Sequence, residues 1–151
     1  MDIGFYITNI EGSNKDQLLE CVNNYVKNNP YDNVVVFNDV FNAITNNKFY
    51  TLHISHAKYF KGTLFIFDIK DATIVNTFPA PKRKIFFATQ AYWQNNKMVQ
   101  YAAWNQIFNN SDMDIVVNNE SMFNVYKMCW KEPIHIVPKI SYEEIKHVLQ
   151  K

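Results

Sequence analysis

Short, nearly continuous apolar runs alternate with segments of helical periodicity along most of the chain, and this alternation strongly constrains the fold. The runs NVVVFN at 33–38 and TLFIFD at 63–68 are apolar at consecutive positions rather than at alternate ones. Such runs are typical of strands that are covered on both faces, as in parallel sheets. Strands are predicted at 2–10, 33–38, 49–55, 63–68, 84–89, 113–117 and 134–137.

Capping signals and apolar spacing predict helices between these strands. Ser13 with Asp16, and Ser141 with Glu144, match capping-box patterns, and Asn118 or Asn119 is predicted to cap another helix. Further helices are predicted at 70–78 and at about 97–109. The alternation predicts a single Rossmann-like α/β domain over 1–151, with a doubly wound, mostly parallel sheet and helices on both faces.

Charge and glycine content argue against several kinds of ligand site. The net charge is +1, so we expect no binding to nucleic acid by bulk charge. Among the 15 basic residues Arg83 is the single arginine, which excludes a phosphate clamp built on several arginines. With three glycines, and with neither a G-x-G-x-x-G nor a Walker A pattern, no glycine-rich phosphate loop is predicted.

Targeting signals and cysteine content point to an intracellular chain. No basic segment followed by a long apolar run is found near residue 1, so no signal peptide is predicted. No apolar stretch approaches the roughly 18 residues of a membrane span, and a cytoplasmic location is expected. Two isolated thiols do not form a disulfide framework, so Cys21 and Cys129 are both expected to be buried, reduced core residues.

The predicted sheet indicates where a ligand would bind, because open parallel sheets bind ligands beyond the carboxyl ends of their strands. The ligand-binding candidates at these positions are Gly12, Ser13, Asn38, Ser55, Thr89, Asn118 and Glu120. Trp93, after the fifth strand, could stack on a base or a sugar ring, although helix packing is the alternative. Gly12-Ser13 could hold an anion at a helix N-terminus, and the alternative is an ordinary turn with an N-cap.

Two residues are candidates for acid–base chemistry. His56 follows the third strand and could act as a general base, with a solvated loop histidine as the alternative. Asp68 ends the fourth strand, and helix capping is its alternative role. Asp112 and Asp114 form a D-x-D pair, but at the entry of their strand, so we interpret them as a solvated turn and predict no metal site.

The second half of the chain resembles the N-terminal half of GT-B glycosyltransferases. The resemblance is carried by the Pro-rich PAPKRK before a strand, by the aromatic AYW after it, by MDIVVNNESM, and by the stretch from PIHIVPKI to SYEEI. The chain is also similar to short glycosyltransferase-like proteins encoded by tailed bacteriophages. The similarity covers about residues 60–150 in detail and the first half by topology alone.

This resemblance implies a metal-independent glycosyltransferase that uses a nucleotide-sugar donor and no other cofactor. It implies that the loop at Gly12-Ser13 and residues 118–121 line a cleft, and that Ser55-His56 face the acceptor. GT-B enzymes bind the donor mostly in a second Rossmann-like domain, which has no counterpart in these residues. We therefore expect binding of a nucleotide sugar or of an acceptor, and we do not expect full catalysis by this chain alone. An inactive domain, a domain that pairs with another chain or with a second copy, and a domain kept for binding only are the alternatives.

Two other functions remain open from the sequence. One is a non-enzymatic viral interaction module that acts on a host protein, for which Tyr92, Trp93 and Trp130 would be exposed anchors. The other is a flavodoxin-like or related nucleotide-binding enzyme, which would carry a coloured or absorbing cofactor.

Overall fold

The computed structural model describes residues 1–8, 13–39, 48–89 and 101–151. These residues form a seven-stranded sheet in which every pair of neighbouring strands is parallel. The strands are β1 Asp2–Tyr6, β2 Asn33–Asn38, β3 Tyr50–His53, β4 Thr63–Ile66, β5 Arg83–Ala88, β6 Met113–Val117 and β7 His135–Ile136. The helices are α1 Ser13–Asn28, α2 Ile69–Asn76, α3 Tyr101–Asn109, α4 Glu120–Cys129 and α5 Tyr142–Leu149, with a 3₁₀ helix at Ile54–Tyr59.

The order of the strands is β3-β2-β1-β4-β5-β6-β7. The chain starts near the middle of the sheet, builds outward to β3, and then returns to β4 on the other side of β1. This is the doubly wound, Rossmann-like arrangement, with the change of direction between β1 and β4. The predicted fold class is therefore confirmed.

Helices cover both faces of the sheet because each central strand is apolar on both of its sides. Phe5, Phe65 and Phe87 point to one face, where they pack with apolar residues of α1 and α5. On this face the Phe5 and Phe65 rings stack with their centroids 5.2 Å apart. Tyr6, Ile66 and further residues of the opposite face pack against α2, α3 and α4. The consecutive apolar residues that predicted parallel strands are thus divided between two cores.

The helix starts follow the predicted capping residues. Asp68 caps α2, Asn119 caps α4 and Ser141 caps α5, and each side chain accepts a hydrogen bond from a backbone N–H in the first turn. These bonds satisfy donors that a helix leaves open at its start. Asp68 and Asn119 follow β4 and β6 closely, and Ser141 ends the segment that leads from β7 to α5, so the three caps lie beyond the carboxyl ends of their strands.

Several element boundaries differ from the prediction. The first strand ends at Tyr6 rather than at residue 10, and the last strand is only His135–Ile136. The strand predicted at 49–55 ends at His53, because the His53 ring caps the 3₁₀ helix and accepts a hydrogen bond from the Ser55 N–H at 3.3 Å. Residues 97–100 of the predicted third helix lie outside the described residues.

The expectation that both cysteines are buried is confirmed for Cys21 and wrong for Cys129. Cys21 is buried against the α1–α5 face, but Cys129 is exposed in the last turn of α4. Its spacing from Tyr126 matches the apolar face, yet this final turn leaves its side chain open to solvent. In the described part of the chain, no helix is long and apolar enough to cross a membrane.

Candidate functional site

A cleft of about 750 Å³ lies at the carboxyl edge of the sheet, between α1 and the segment that joins β7 to α5. One wall is formed by α1 and the other by residues 137–143, and the ends of β4, β5 and β6 contribute residues between them. Its lining comprises Gln17, Leu18, Glu20, Cys21, Asn24, Phe67, Asp68, Thr89, Asn118, Val137, Pro138, Lys139, Ile140, Ser141, Tyr142 and Glu143. The cleft thus lies where ligands bind in open parallel sheets.

Three of the candidate residues predicted from the sequence border this cleft: Asp68, Thr89 and Asn118. Asn118 Nδ2 donates to the Thr89 carbonyl oxygen at 3.0 Å, which joins the exits of β5 and β6. Asn118 Oδ1 accepts from Asn119 Nδ2 at 2.8 Å. The amide is therefore held in place by bonds at both of its ends, which is the preorganisation a binding site needs.

Asp68 has a structural role and a place in the cleft. Its Oδ1 accepts from the Lys70 N–H at 2.8 Å and caps α2, as the capping alternative predicted. The carboxyl group nevertheless borders the cleft, at the strand exit where it was expected as a functional group. A carboxylate fixed by a cap presents its charge in a defined direction.

The other described candidates lie elsewhere. Asn38 is buried at the end of β2, where it pairs in register with His53. Ser55 and His56 are exposed on the 3₁₀ helix beyond β3, and neither borders the cleft. Ser55 Oγ lies 2.9 Å from His53 Nδ1, so its hydroxyl is used locally. Glu120 is exposed in the first turn of α4, outside the cleft lining.

The remaining candidates are an undescribed group and Trp130. Gly12, Tyr92 and Trp93 lie outside the described residues, and Ser13 is described only as the first residue of α1. Trp130, a possible exposed anchor by sequence, is packed instead. Its ring centroid lies 4.8 Å from that of Phe108, and its Nε1 donates to Asn105 Oδ1 at 2.9 Å.

The α1 wall of the cleft was not predicted from the sequence. Gln17, Glu20, Cys21 and Asn24 recur at helical spacing along one flank of α1. This spacing is visible in the sequence. The apolar residues of the same helix predict which face packs on the sheet, but they do not indicate that the neighbouring polar flank borders a cleft. The far wall, from Pro138 to Glu143, could not have been found in this way because it is a loop and a helix start brought close by the fold.

The cleft lining is acidic. Glu20, Asp68 and Glu143 carry carboxyl groups, and Lys139 is the basic residue among the described lining residues. Hydrogen bonds from its own backbone N–H and from the Ser141 hydroxyl hold the pKa of Glu143 below its usual range. Burial raises the pKa of the Cys21 thiol to about 12, and the charges of Glu143 and Glu20 add to this rise. The cleft therefore presents negative charge beside a neutral thiol.

Neither Asp71 nor the D-x-D pair of Asp112 and Asp114 belongs to a metal centre among the residues that the structure describes. Asp71 is fully buried in α2 and accepts hydrogen bonds from the N–H and the hydroxyl of Thr8. Asp114 binds Arg83 at 2.6 Å near the amino edge of the sheet, on the side opposite the cleft. Within the described ranges, no group of three or more His, Cys, Asp or Glu side chains could hold a metal ion.

Comparisons with protein-family models, with curated proteins and with solved structures found no match to this chain.

Proposed function

We propose that this chain is a glycosyltransferase-like Rossmann domain that binds a sugar in the cleft between α1 and the β7–α5 segment. The observation that carries this proposal is the convergence of Asp68, Thr89 and Asn118 at neighbouring strand exits. The resemblance of PAPKRK, MDIVVNNESM and the stretch from PIHIVPKI onward to GT-B N-terminal halves supports the same assignment. A cytoplasmic location, in the host if the chain is phage-encoded, belongs to this proposal.

The chemistry of the lining favours hydroxyl groups over phosphate. Carboxylates such as Asp68, Glu20 and Glu143 accept hydrogen bonds from sugar hydroxyls, whereas they repel a phosphate dianion. The sugar ring, from an acceptor or from a nucleotide sugar, therefore occupies the cleft. The phosphates of a donor would lie toward the N-terminus of α1 at Ser13, because a helix N-terminus favours anions.

Catalysis, if the chain performs it with a partner, would rest on Asp68. In glycosyl transfer the acceptor oxygen bonds to the anomeric carbon, the bond from that carbon to the phosphate oxygen breaks, and the acceptor hydroxyl loses its proton to a base. Asp68 borders the cleft and could take that proton, whereas His56 lies on the 3₁₀ helix outside it. A homodimer or a second chain would supply the donor-binding half.

Ligand-observed NMR tests this proposal directly. The panel consists of nucleotides, nucleotide sugars such as UDP-glucose, and the matching free sugars, because weak binding is sufficient for detection. The proposal expects sugar-bearing compounds to give a signal that is lost in Asp68→Ala and in Asn118→Ala and kept in His56→Ala. Silence across the panel, or a signal that survives both cleft substitutions, would overturn it.

A further inference from the structure

The far wall of the cleft is a segment whose two flanking elements contact each other. Every residue from Val137 to Glu143 lines the cleft. His135 lies in β7, before this segment, and His147 lies in α5, after it. The two imidazole rings are stacked, with their centroids 4.5 Å apart and an angle of 20° between their planes. The stack therefore joins the two ends of the wall.

Glu144 adds a polar contact to this stack. His135 Nε2 lies 3.3 Å from Glu144 Oε2, and both side chains are partly buried. The Glu144 N–H donates to Ser141 Oγ at 3.3 Å, so the residue that meets His135 belongs to the capped first turn of α5. One ring of β7 thus contacts two side chains of the same helix, Glu144 and His147, which are neighbours on its surface.

The two elements joined by the stack are anchored to different extents. Strand β7 consists of His135 and Ile136 alone and, among the described strands, pairs only with β6. Helix α5 is anchored by Ile145 and Val148, which are buried in the core shared with α1. Arg83 Nη1 also donates to the Val148 carbonyl oxygen at 3.3 Å. The stack therefore ties a short strand to a firmly held helix.

We propose that the stack of His135 on His147 sets the position of the cleft wall, and that both histidines are positioning residues for the sugar site. This inference rests on the proposed function. The middle of the wall is fixed separately, since Ile140 and Tyr142 pack against the core. The stack acts on the ends of the wall and thereby on the width of the cleft between the wall and α1. A binding site needs such supporting contacts to hold its lining in the bound geometry.

The test compares His147→Ala, His147→Phe and Lys146→Ala in the full chain. Phenylalanine keeps a flat ring that can stack on His135, whereas alanine removes the ring. Lys146 is exposed on the same helix and provides the matched control. Thermal melts verify that the variants fold.

Two quantities are measured in each variant. The first is affinity for UDP-glucose, or for the sugar of the NMR panel that binds the unchanged chain most tightly. The second is the hydrogen-exchange rate of the amides of Val137, Glu144 and Ile145, each of which donates a hydrogen bond at an end of the wall. Exchange at these amides reports local opening and requires no ligand.

We expect His147→Ala to weaken sugar binding about fivefold and to accelerate exchange at the three amides about fivefold. His147→Phe should restore both quantities to within about twofold of the unchanged chain, and Lys146→Ala should stay within the same limit. Unchanged exchange or unchanged affinity in His147→Ala would overturn the inference and leave the proposed function standing. A failure of His147→Phe to restore them, or an equal effect of Lys146→Ala, would overturn the stack as the cause.

Failure of the proposed function has a different signature. If no sugar of the panel binds the unchanged chain, the sugar site is refuted whatever the variants do. Faster exchange in His147→Ala that His147→Phe reverses would then still support the stack as the contact that positions the wall. Unchanged exchange in that case would overturn both.

Discussion

Asn118 Nδ2 donates to the main-chain carbonyl of Thr89 at 3.0 Å. The last backbone pair between β5 and β6 is Ala88 with Val117, so this side-chain bond extends the ladder by one residue beyond the strands. It holds the exits of two neighbouring strands together at the base of the cleft. The same amide is thus part of the sheet edge and part of the proposed sugar site.

Replacing Asn118 should therefore affect ligand binding more than stability. We expect Asn118→Ala to lower sugar affinity about tenfold and the free energy of unfolding by about 1 kcal/mol, since one partly buried and one exposed hydrogen bond are lost. Calorimetric titration and thermal melts measure the two quantities. Glu120→Ala is the matched control because Glu120 is two residues away, exposed and outside the cleft lining. An equal loss of affinity in both variants would contradict the assignment.

Loss of the contact between Thr8 and Asp71 should lower the free energy of unfolding strongly. Asp71 is fully buried, and it accepts from the Thr8 N–H at 3.2 Å and from the Thr8 hydroxyl. Asp71→Ala should lower the free energy of unfolding by about 3 kcal/mol, because it leaves donors without their acceptor and opens a void. Urea melts of Asp71→Ala, Thr8→Val and the double variant should show non-additive losses. The exposed Asp112→Ala should change stability by less than about 0.5 kcal/mol, and a similar loss there would refute the argument.

Gly62 should not tolerate a side chain. It lies just before β4, where a Cβ atom would overlap the backbone carbonyl of Asp2 and approach the Phe60 ring to 2.7 Å. Gly62→Ala should lower the free energy of unfolding by about 3 kcal/mol, because the backbone of β1 has to shift. Lys61→Ala, next to it and exposed, serves as the control. A Gly62→Ala variant that melts within about 2 °C of the parent chain would contradict this prediction.

The two thiols should react at very different rates. Cys129 is exposed, whereas Cys21 is buried in the cleft wall with its pKa raised to about 12. A raised pKa leaves little thiolate at pH 8, so modification of Cys21 by dithiobis(nitrobenzoate) should be at least about a hundredfold slower. Cys129→Ser should abolish the fast phase and Cys21→Ser should leave it intact. A fast phase that persists in Cys129→Ser would contradict the described burial.

The fold class could be predicted from the sequence because its physical cause is local. A strand buried on both faces needs consecutive apolar residues, and Leu64, Phe65 and Ile66 alternate between the two cores as such a run requires. Helix caps were predictable for the same reason, since Asp68 and Ser141 bond to backbone N–H groups within three residues.

The features that were not predicted have two causes. One is a side chain that competes with the strand for a backbone N–H, and the other is contact between residues that are far apart in sequence. His53 continues the β pattern in sequence, but its ring accepts from the Ser55 N–H and starts a 3₁₀ helix, so the strand is shorter than predicted. His56 does not border the cleft because β2 and β1 separate β3 from β4, whose exit lines the cleft. The cleft joins Glu20 of α1 to Glu143 of α5, residues that are far apart in sequence and share no local pattern. A strand-exit rule finds Asp68, Thr89 and Asn118, but it does not find the walls around them.

The measurement that tests the central claim most directly is mapping of ligand-induced amide shifts on the isotope-labelled chain. A sugar or nucleotide sugar that gives a signal in the panel is titrated to saturation, and amide shifts are followed by residue. The account predicts the largest shifts at Asp68, Thr89 and Asn118 and along residues 139–143. Shifts centred on Ser55 and His56, with the cleft residues unchanged, would contradict it.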